Sequence, residues 1–425
     1  MQLDTAFQMS ASNIRFGSGV TSEVGMDLRD RGLHRTLLLM DPALASLPLG
    51  QTVTASLKAA GIGFELFDRI SIEPTDRSFQ EAARVASQGR FDSFVAVGGG
   101  STIDTAKAAN LYSTYPADFF DYVNAPIGKG IPVPGPLKPL IAIPTTAGTG
   151  SETTGVAIFD YVEKKAKTGI AHRHLKPTLG ILDPENTRTL PPAVAASTGL
   201  DVLSHALESY TAISFDSRPK PPRPLERPAY QGANPISDIW ALRALEMVNE
   251  YLPRAVADTS DEEARSQMLL AATFAGIGFG NAGVHLPHGM SYPVAGMVRS
   301  YQPVGYNVDH PLVPHGISVI LHTPAVVRFT ASALPERHLR AAHCLGANLA
   351  DVGPEDAGEI LAQQVIRLMQ VLKMPNGLSA VGYDEGDVSA LVAETMPQHR
   401  VTKLSPVPAG PSELAGLFRN SMTIW

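Results

Sequence analysis

The sequence predicts an α/β N-terminal domain with a largely parallel sheet over residues 1–190 and an all-helical C-terminal domain over residues 191–425. Three observations carry this. Short apolar runs alternate with helix-period segments through the first part of the chain, the pattern that βαβ units produce. Two of those runs end in Gly-rich turns, as strands feeding helices do. Beyond Pro191-Pro192 the texture changes, and helix follows helix to the end.

The elements follow in order. After a short lead, RTLLLMDPAL reads as a buried strand, Thr36–Met40, stopped by Asp41-Pro42. TVTASLKAAGI has helical character and a terminal glycine, and GFELFDRI is a second strand. SFQEAARVASQG is a helix entered at Ser78 and left at Gly89. FDSFVAVGGG is a third strand, STIDTAKAANLYST the helix after it, and PLIAIPTTAGTG another strand into a Gly/Thr turn. GVAIFDYVEKKAKTGIA reads as an appended hairpin and TLGILDPE as one more strand. Helices are then expected at 193–212, 236–256, 261–277, 285–297, 314–330, 336–350, 354–373, 384–395 and 411–421. SRPKPPRPLERP, 217–228, interrupts them with five prolines and four basic residues. It is a solvated polyproline-type loop or a lid over the helix before it.

Composition narrows the function classes. With 44% apolar and 18% charged residues the chain can bury real cores. A net charge of −7 argues against nucleic acid as a partner. No apolar run approaches the ~20 residues of a membrane span, so no membrane partner is expected. Cys344 is the single cysteine, which excludes a disulfide framework. The start, MQLDTAFQMS, has an acidic residue, no apolar core and no arginine, so a soluble, cytoplasmic protein is expected.

Two places carry chemistry. Gly98, Gly99 and Gly100 follow a strand and precede a helix, so backbone N–H groups can approach a phosphate there. Ser101 can cap that helix, with Asp104 in capping-box position. A lone GGG is as readily a tight turn; a second turn, PTTAGTGSE, with hydroxyls at Thr145, Thr146 and Thr149, tilts the reading to a dinucleotide. Asp41 ends the first strand, where a carboxylate holds a ribose 2′-hydroxyl and repels a 2′-phosphate, favouring NAD over NADP. In the second half, Asp201 and His205 stand four apart on one helix face, and Pro-His-Gly occurs twice, presenting His288 and His315. One carboxylate and three imidazoles suit a divalent transition metal. A surface or hydrogen-bonded core histidine is the alternative at each position, and spacing does not choose.

GGGSTIDTAK, PTTAGTGSE, GLDVLSHALESY, HGMSYPVAG and the second PHG resemble the iron-dependent (group III) alcohol dehydrogenases, in order and over essentially the whole chain. AFQMSASNIRFGSG, AYQGANPISDIWA, FAGIGFGNAGVHLPHGMSYP, YNVDHPLVPHG and HRVTKLSP are similar to that family's transhydrogenase branch. The resemblance implies hydride transfer from 4-hydroxybutyrate to 2-oxoglutarate through bound NAD, giving succinic semialdehyde and 2-hydroxyglutarate. It also implies Fe2+ (Zn2+ is the alternative) held by Asp201, His205, His288 and His315, small hydroxy and oxo acids as partners, and a homodimer or higher homo-oligomer. By the same carry-over Lys167 contacts the cofactor. Tyr292 stands where many relatives have a proton-handling histidine, and is expected to act as a donor or positioner. Arg223, Arg227, Tyr230, Arg299 and Arg328 are candidates for the substrate carboxylate. The rivals are a dehydrogenase that exchanges its cofactor freely and a dehydroquinate-synthase-like lyase.

Overall fold

In the computed structural model, which describes residues 2–164, 166–306 and 308–425, contacts divide the chain into two units. One is Ser10–Thr189; the other is Leu190–Trp425 joined by the segment that ends at Met9.

The first unit holds β1 (Asn13–Phe16), β2 (Arg35–Met40), β3 (Gly63–Phe67), β4 (Ser93–Gly98), β5 (Leu140–Pro144), β6 (Val156–Tyr161), β7 (Ala166–Ala171) and β8 (Leu179–Leu182). Its helices are α1 (Val24–Asp30), α2 (Pro48–Ala59), α3 (Asp76–Gln88), α4 (Gly100–Thr114) and α5 (Phe119–Tyr122). Six strands make one sheet in the order β1-β8-β5-β4-β2-β3, every neighbour parallel, and β6 and β7 form an antiparallel hairpin. Period-two alternation explains why both faces are apolar. Leu38, Met40, Val95, Val97, Ile141 and Ile143 meet Val24, Leu28, Val53 and Leu57 of α1 and α2. Leu37, Leu39, Phe94, Ala96 and Ala142 meet Ala82, Ala86, Ile103 and Ala106 of α3 and α4. A parallel sheet covered on both faces follows.

Two details depart from the sequence reading. The lead contains β1, a short, half-buried edge strand whose residues NIRF show no apolar alternation. Helix α3 is entered at Thr75: its Oγ1 accepts from Ser78 N at 3.1 Å while Ser78 Oγ accepts from Thr75 N at 2.9 Å, a reciprocal cap.

The second unit holds α6 (Pro192–Thr211), α7 (Pro235–Ala257), α8 (Glu262–Ala282), α9 (Leu286–Gly296), α10 (His315–Ile320), α11 (Thr323–Thr330), α12 (Pro335–Cys344), α13 (Ala357–Val371), α14 (Val388–Thr395), α15 (His399–Thr402) and α16 (Pro411–Asn420). Helix α6 is buried almost all round from Ala196 onward. The segment 314–330, read as one helix, is two. Pro324 lacks an N–H and sits in the first turn of α11, where none is needed. No single helix among the described residues is long and apolar enough to cross a membrane.

The Pro-rich segment is a clasp for the N-terminal residues. Leu3 bridges Pro219, Arg218 Nη1 lies 2.8 Å and Arg227 Nε 2.9 Å from Asp4 Oδ2, and Asp4 N donates to Arg218 O at 2.9 Å. These pairings place the first residues with the helical unit, and they engage Arg218 and Arg227, two of the segment's four cations. The Arg227 hydrogen bond, with Arg218 assisting, holds the Asp4 carboxyl down at about 2. A depressed carboxyl contributes stability that is fully present above its unfolded pKa of ~4 and is lost as pH falls through the folded value. The melting-midpoint gap between wild type and Asp4→Asn is therefore expected to be constant from neutral pH down to about 5 and to close between about 4 and 2. A gap unchanged at the lower limit would remove Asp4 as the titrating group.

Candidate metal centre and nucleotide site

Helix α6 carries Asp201, His205 and Glu208 at i, i+4 and i+7, one stripe of one helix. His288 lies in the first turn of α9, and His315 is the first residue of α10. Asp201 Oδ1 is 3.7 Å from His205 Nε2, 3.7 Å from His288 Nε2 and 3.8 Å from His315 Nε2. One ligand atom from each of the four lies within 4.8 Å of every other. Donors at ~2.1 Å from a tetrahedral metal are ~3.4 Å apart, close to this spacing. His288 Nε2 is shut off from solvent and has no hydrogen-bond partner among the described residues, which fits a nitrogen aimed at a cation. Asp201, His205 and His288 are buried, whereas His315 is partly exposed, so the site opens on the His315 side.

The two Pro-His-Gly units owe their glycines to packing. A Cβ on Gly316 would overlap the Ser197 carbonyl of α6, and one on Gly289 would come 2.6 Å from Thr402 Cγ2 of α15. Glycine lets α10 and α15 approach closely enough to set His315 beside Asp201 and to pack α15 on α9.

Glu208 is the residue the sequence reading missed. Its Oε1 lies 2.6 Å from His288 Nδ1, and its Oε2 accepts from His285 N at 2.6 Å. Burial favours the neutral acid, but His288 outweighs it and the Glu208 carboxyl falls below its ordinary value. A carboxylate on Nδ1 keeps a proton there and leaves Nε2 as the donor to a metal. The only sequence signal was an acid on the same stripe as Asp201 and His205.

The candidate nucleotide residues Asp41, Gly98, Gly99, Gly100, Thr145, Thr146 and Thr149 gather at the carboxyl edge of the sheet. From β2 the chain goes outward to β3 and returns past β2 to β4, so the switch point lies between β2 and β4. Asp41 follows β2 there: its N–H donates to Val97 O at 3.1 Å, and its Oδ1 accepts from Ala43 N at 2.9 Å. Gly98 has φ +157°, and Thr145 N donates to Gly98 O at 3.1 Å. Cβ atoms on Gly99 and Gly100 would lie 3.4 Å from Thr146 Cγ2 and 2.6 Å from Thr149 Cγ2, so the two Gly-rich turns touch. Gly99, not Ser101, is the N-cap of α4, and no side chain caps it. That leaves the first N–H groups of the helix for an anion.

Asp104 is a tie, not a capping-box partner. Its Oδ1 accepts from Ser151 Oγ at 2.5 Å and its Oδ2 from Ile158 N at 3.0 Å. The fully buried Lys107, also missed, donates to Asp104 (3.1 Å), Ser151 Oγ (2.5 Å), Thr154 Oγ1 (3.2 Å) and Val156 O (2.7 Å), bolting the second turn to α4. Lys167 is buried between Glu73 at 2.5 Å and Asp160 at 2.9 Å. Tyr292 is buried, one turn beyond His288 on α9, and its hydroxyl is 3.3 Å from Arg400 Nη2.

Residues 11–184 match the family model described as iron-containing alcohol dehydrogenase, and residues 226–422 match the Fe-containing alcohol dehydrogenase family, C-terminal. The chain is 57% identical over 424 residues to the mitochondrial hydroxyacid-oxoacid transhydrogenases of Bos taurus and Homo sapiens, covering 99% of this chain and 91% of each of those. It is 54% identical to the probable mitochondrial enzyme of Dictyostelium discoideum, covering 99% of this chain and 80% of that one. Among solved structures it superposes on 1,3-propanediol oxidoreductase with a TM-score of 0.85 at 27% identity, covering 98% and 100% of the two chains. On the sulfoacetaldehyde reductase of Bifidobacterium kashiwanohense, determined with NAD+, the TM-score is 0.80 at 26% identity, covering 99% and 100%. The cytoplasmic placement expected from the N-terminus is overturned, because the relatives are named mitochondrial. Folding and catalysis place the same demands on the chain in either compartment, so composition could not have told them apart. By both halves of its sequence, by its fold and by its full-length relatives, the chain belongs to the iron-containing alcohol dehydrogenase family, oxidoreductases that act on CH–OH groups.

Proposed function

We propose that the protein is a hydroxyacid-oxoacid transhydrogenase that moves hydride from 4-hydroxybutyrate to 2-oxoglutarate through a retained NAD. The observation that carries this is the 57% identity over nearly the whole chain to enzymes of that name. Asp201, His205, His288 and His315 would hold a divalent metal, taken as Fe2+ from the family. When bound, NAD accepts and returns the hydride, and the metal draws electron density from the substrate oxygen.

The chain's own groups do the rest. Glu208 fixes the His288 tautomer, and burial of Asp201, His205 and His288 keeps water from three of the four donors. The Tyr292 hydroxyl positions substrate beside His288. Asp41 selects the unphosphorylated ribose, and the touching Gly-rich turns cradle the phosphates, with Thr145, Thr146 and Thr149 beside them.

The test omits free nucleotide. Purified protein given 4-hydroxybutyrate labelled with deuterium at C4, plus 2-oxoglutarate, is expected to form semialdehyde and 2-hydroxyglutarate in equal amounts over many turnovers. The label is expected at C2 of the hydroxyglutarate. Turnover that stops after one equivalent until NAD is added would make the protein an ordinary dehydrogenase.

A further inference from the structure

We propose that Arg400 binds the substrate carboxylate and thereby sets the substrate class, a reading that rests on the transhydrogenase function above. Of the five candidates drawn from sequence, the four arginines are committed elsewhere. Arg223 pairs with Glu226 at 2.8 Å, Arg227 with Asp4 at 2.9 Å, Arg299 with Asp387 at 2.7 Å and Arg328 with Glu359 at 2.6 Å. Tyr230 is the ring beneath Arg400, whose guanidinium carbon is 5.0 Å from its centroid.

Arg400 itself meets no carboxylate among the described residues. Its neighbours are two phenols, Tyr292, with its hydroxyl 3.3 Å from Nη2, and Tyr230; its Nη1 is closed off from solvent and has no hydrogen-bond partner among the described residues. Arg400 is half-buried, and a guanidinium carries five N–H donors and keeps its charge, so a closed-off Nη1 without an anion is costly. An anion that comes and goes resolves that cost, and a carboxylate matches the donor fork.

Position supports the same assignment. Tyr292 is four residues after His288 on α9, hence on the same face, and Gly289 admits α15 there. Arg400 therefore stands beside the metal centre, inside one unit of the fold.

Substrate chemistry explains why one cation is enough. In 4-hydroxybutyrate two methylenes separate the oxygen-bearing carbon from the carboxylate. In 2-oxoglutarate two methylenes separate the keto carbon from the distal carboxylate. A single guanidinium at fixed distance from the reacting carbon therefore serves the donor and the acceptor in turn. The class it selects is carboxylates oxygenated at the γ-carbon.

Arg400→Met and Arg400→Lys test this by turnover and by binding. In Arg400→Met the KM for 4-hydroxybutyrate is expected to rise about 100-fold, the usual scale for losing one partner of a shielded charge pair. The kcat/KM for 1-butanol is expected to stay within about threefold, a difference too small to reflect a lost hydrogen bond to a charged group. Arg400→Lys, which keeps charge and loses the fork, is expected to cost roughly tenfold on the acid alone. It also provides the comparison if the methionine variant does not fold. Calorimetric titration with butyrate, which cannot react, is expected to show binding to wild type and none to Arg400→Met. Equal losses on acid and neutral alcohol, or butyrate binding that is absent in wild type or unchanged in the variants, would overturn the assignment. Loss of butyrate binding in Arg400→Met, with no hydride exchange between acids in wild type, would uphold Arg400 and overturn the proposed function.

Discussion

Alanine at Asp201 is expected to remove bound metal and to lower turnover at least a thousandfold, a loss of roughly 4 kcal/mol of transition-state stabilisation. Asp201 Oδ1 is the atom common to the cluster, 3.7–3.8 Å from all three imidazole nitrogens. Without it the remaining donors are neutral, and no negative charge among them offsets that of a divalent ion. Metal per protomer by elemental analysis, measured beside turnover, checks this. A full complement of metal in Asp201→Ala would take Asp201 out of the ligand set.

The second large effect is expected at Glu208, which touches no metal. Glu208→Ala removes the acceptor at His288 Nδ1 and leaves the His285 N–H buried without a partner. Losing such an outer partner costs about 10- to 100-fold in metal affinity, and the orphaned donor adds about 1–3 kcal/mol of instability. Glu208→Gln keeps an acceptor oxygen and should recover part of both. Competition with a chelator reads the first quantity and denaturant unfolding the second. Wild-type metal affinity in Glu208→Ala would mean that packing alone orients His288.

What could be read in advance was periodic or local. The alternation in RTLLLM and SFVAVG announced a sheet buried on two faces, because each residue's face depends only on its parity. Asp201, His205, His288 and His315 were visible as types at recognisable offsets, and the structure brings them together. The missed residues act through partners distant in sequence. Glu208 meets His288 80 residues on, Lys107 meets Val156 49 residues on, and Arg400 meets Tyr292 108 residues back. A single chain read in order gives no signal for such pairs. The same reason misplaced Asp104, whose spacing fits a capping box but whose carboxylate meets Ser151 and Ile158.

The Asp4 clasp has a bearing on the order in which the chain is made. Asp4 and Arg227 are 223 residues apart, so at 5–20 residues per second the first leaves the ribosome roughly 10–45 s before the second. Everything that the Ser10–Thr189 unit needs is synthesised within that interval, as one uninterrupted stretch. The helical unit, by contrast, includes the segment around Asp4 and cannot close on it until the Pro-rich segment emerges. A segment near the middle of the chain is thus the piece that Asp4 waits for, and the α/β unit has that interval in which to fold.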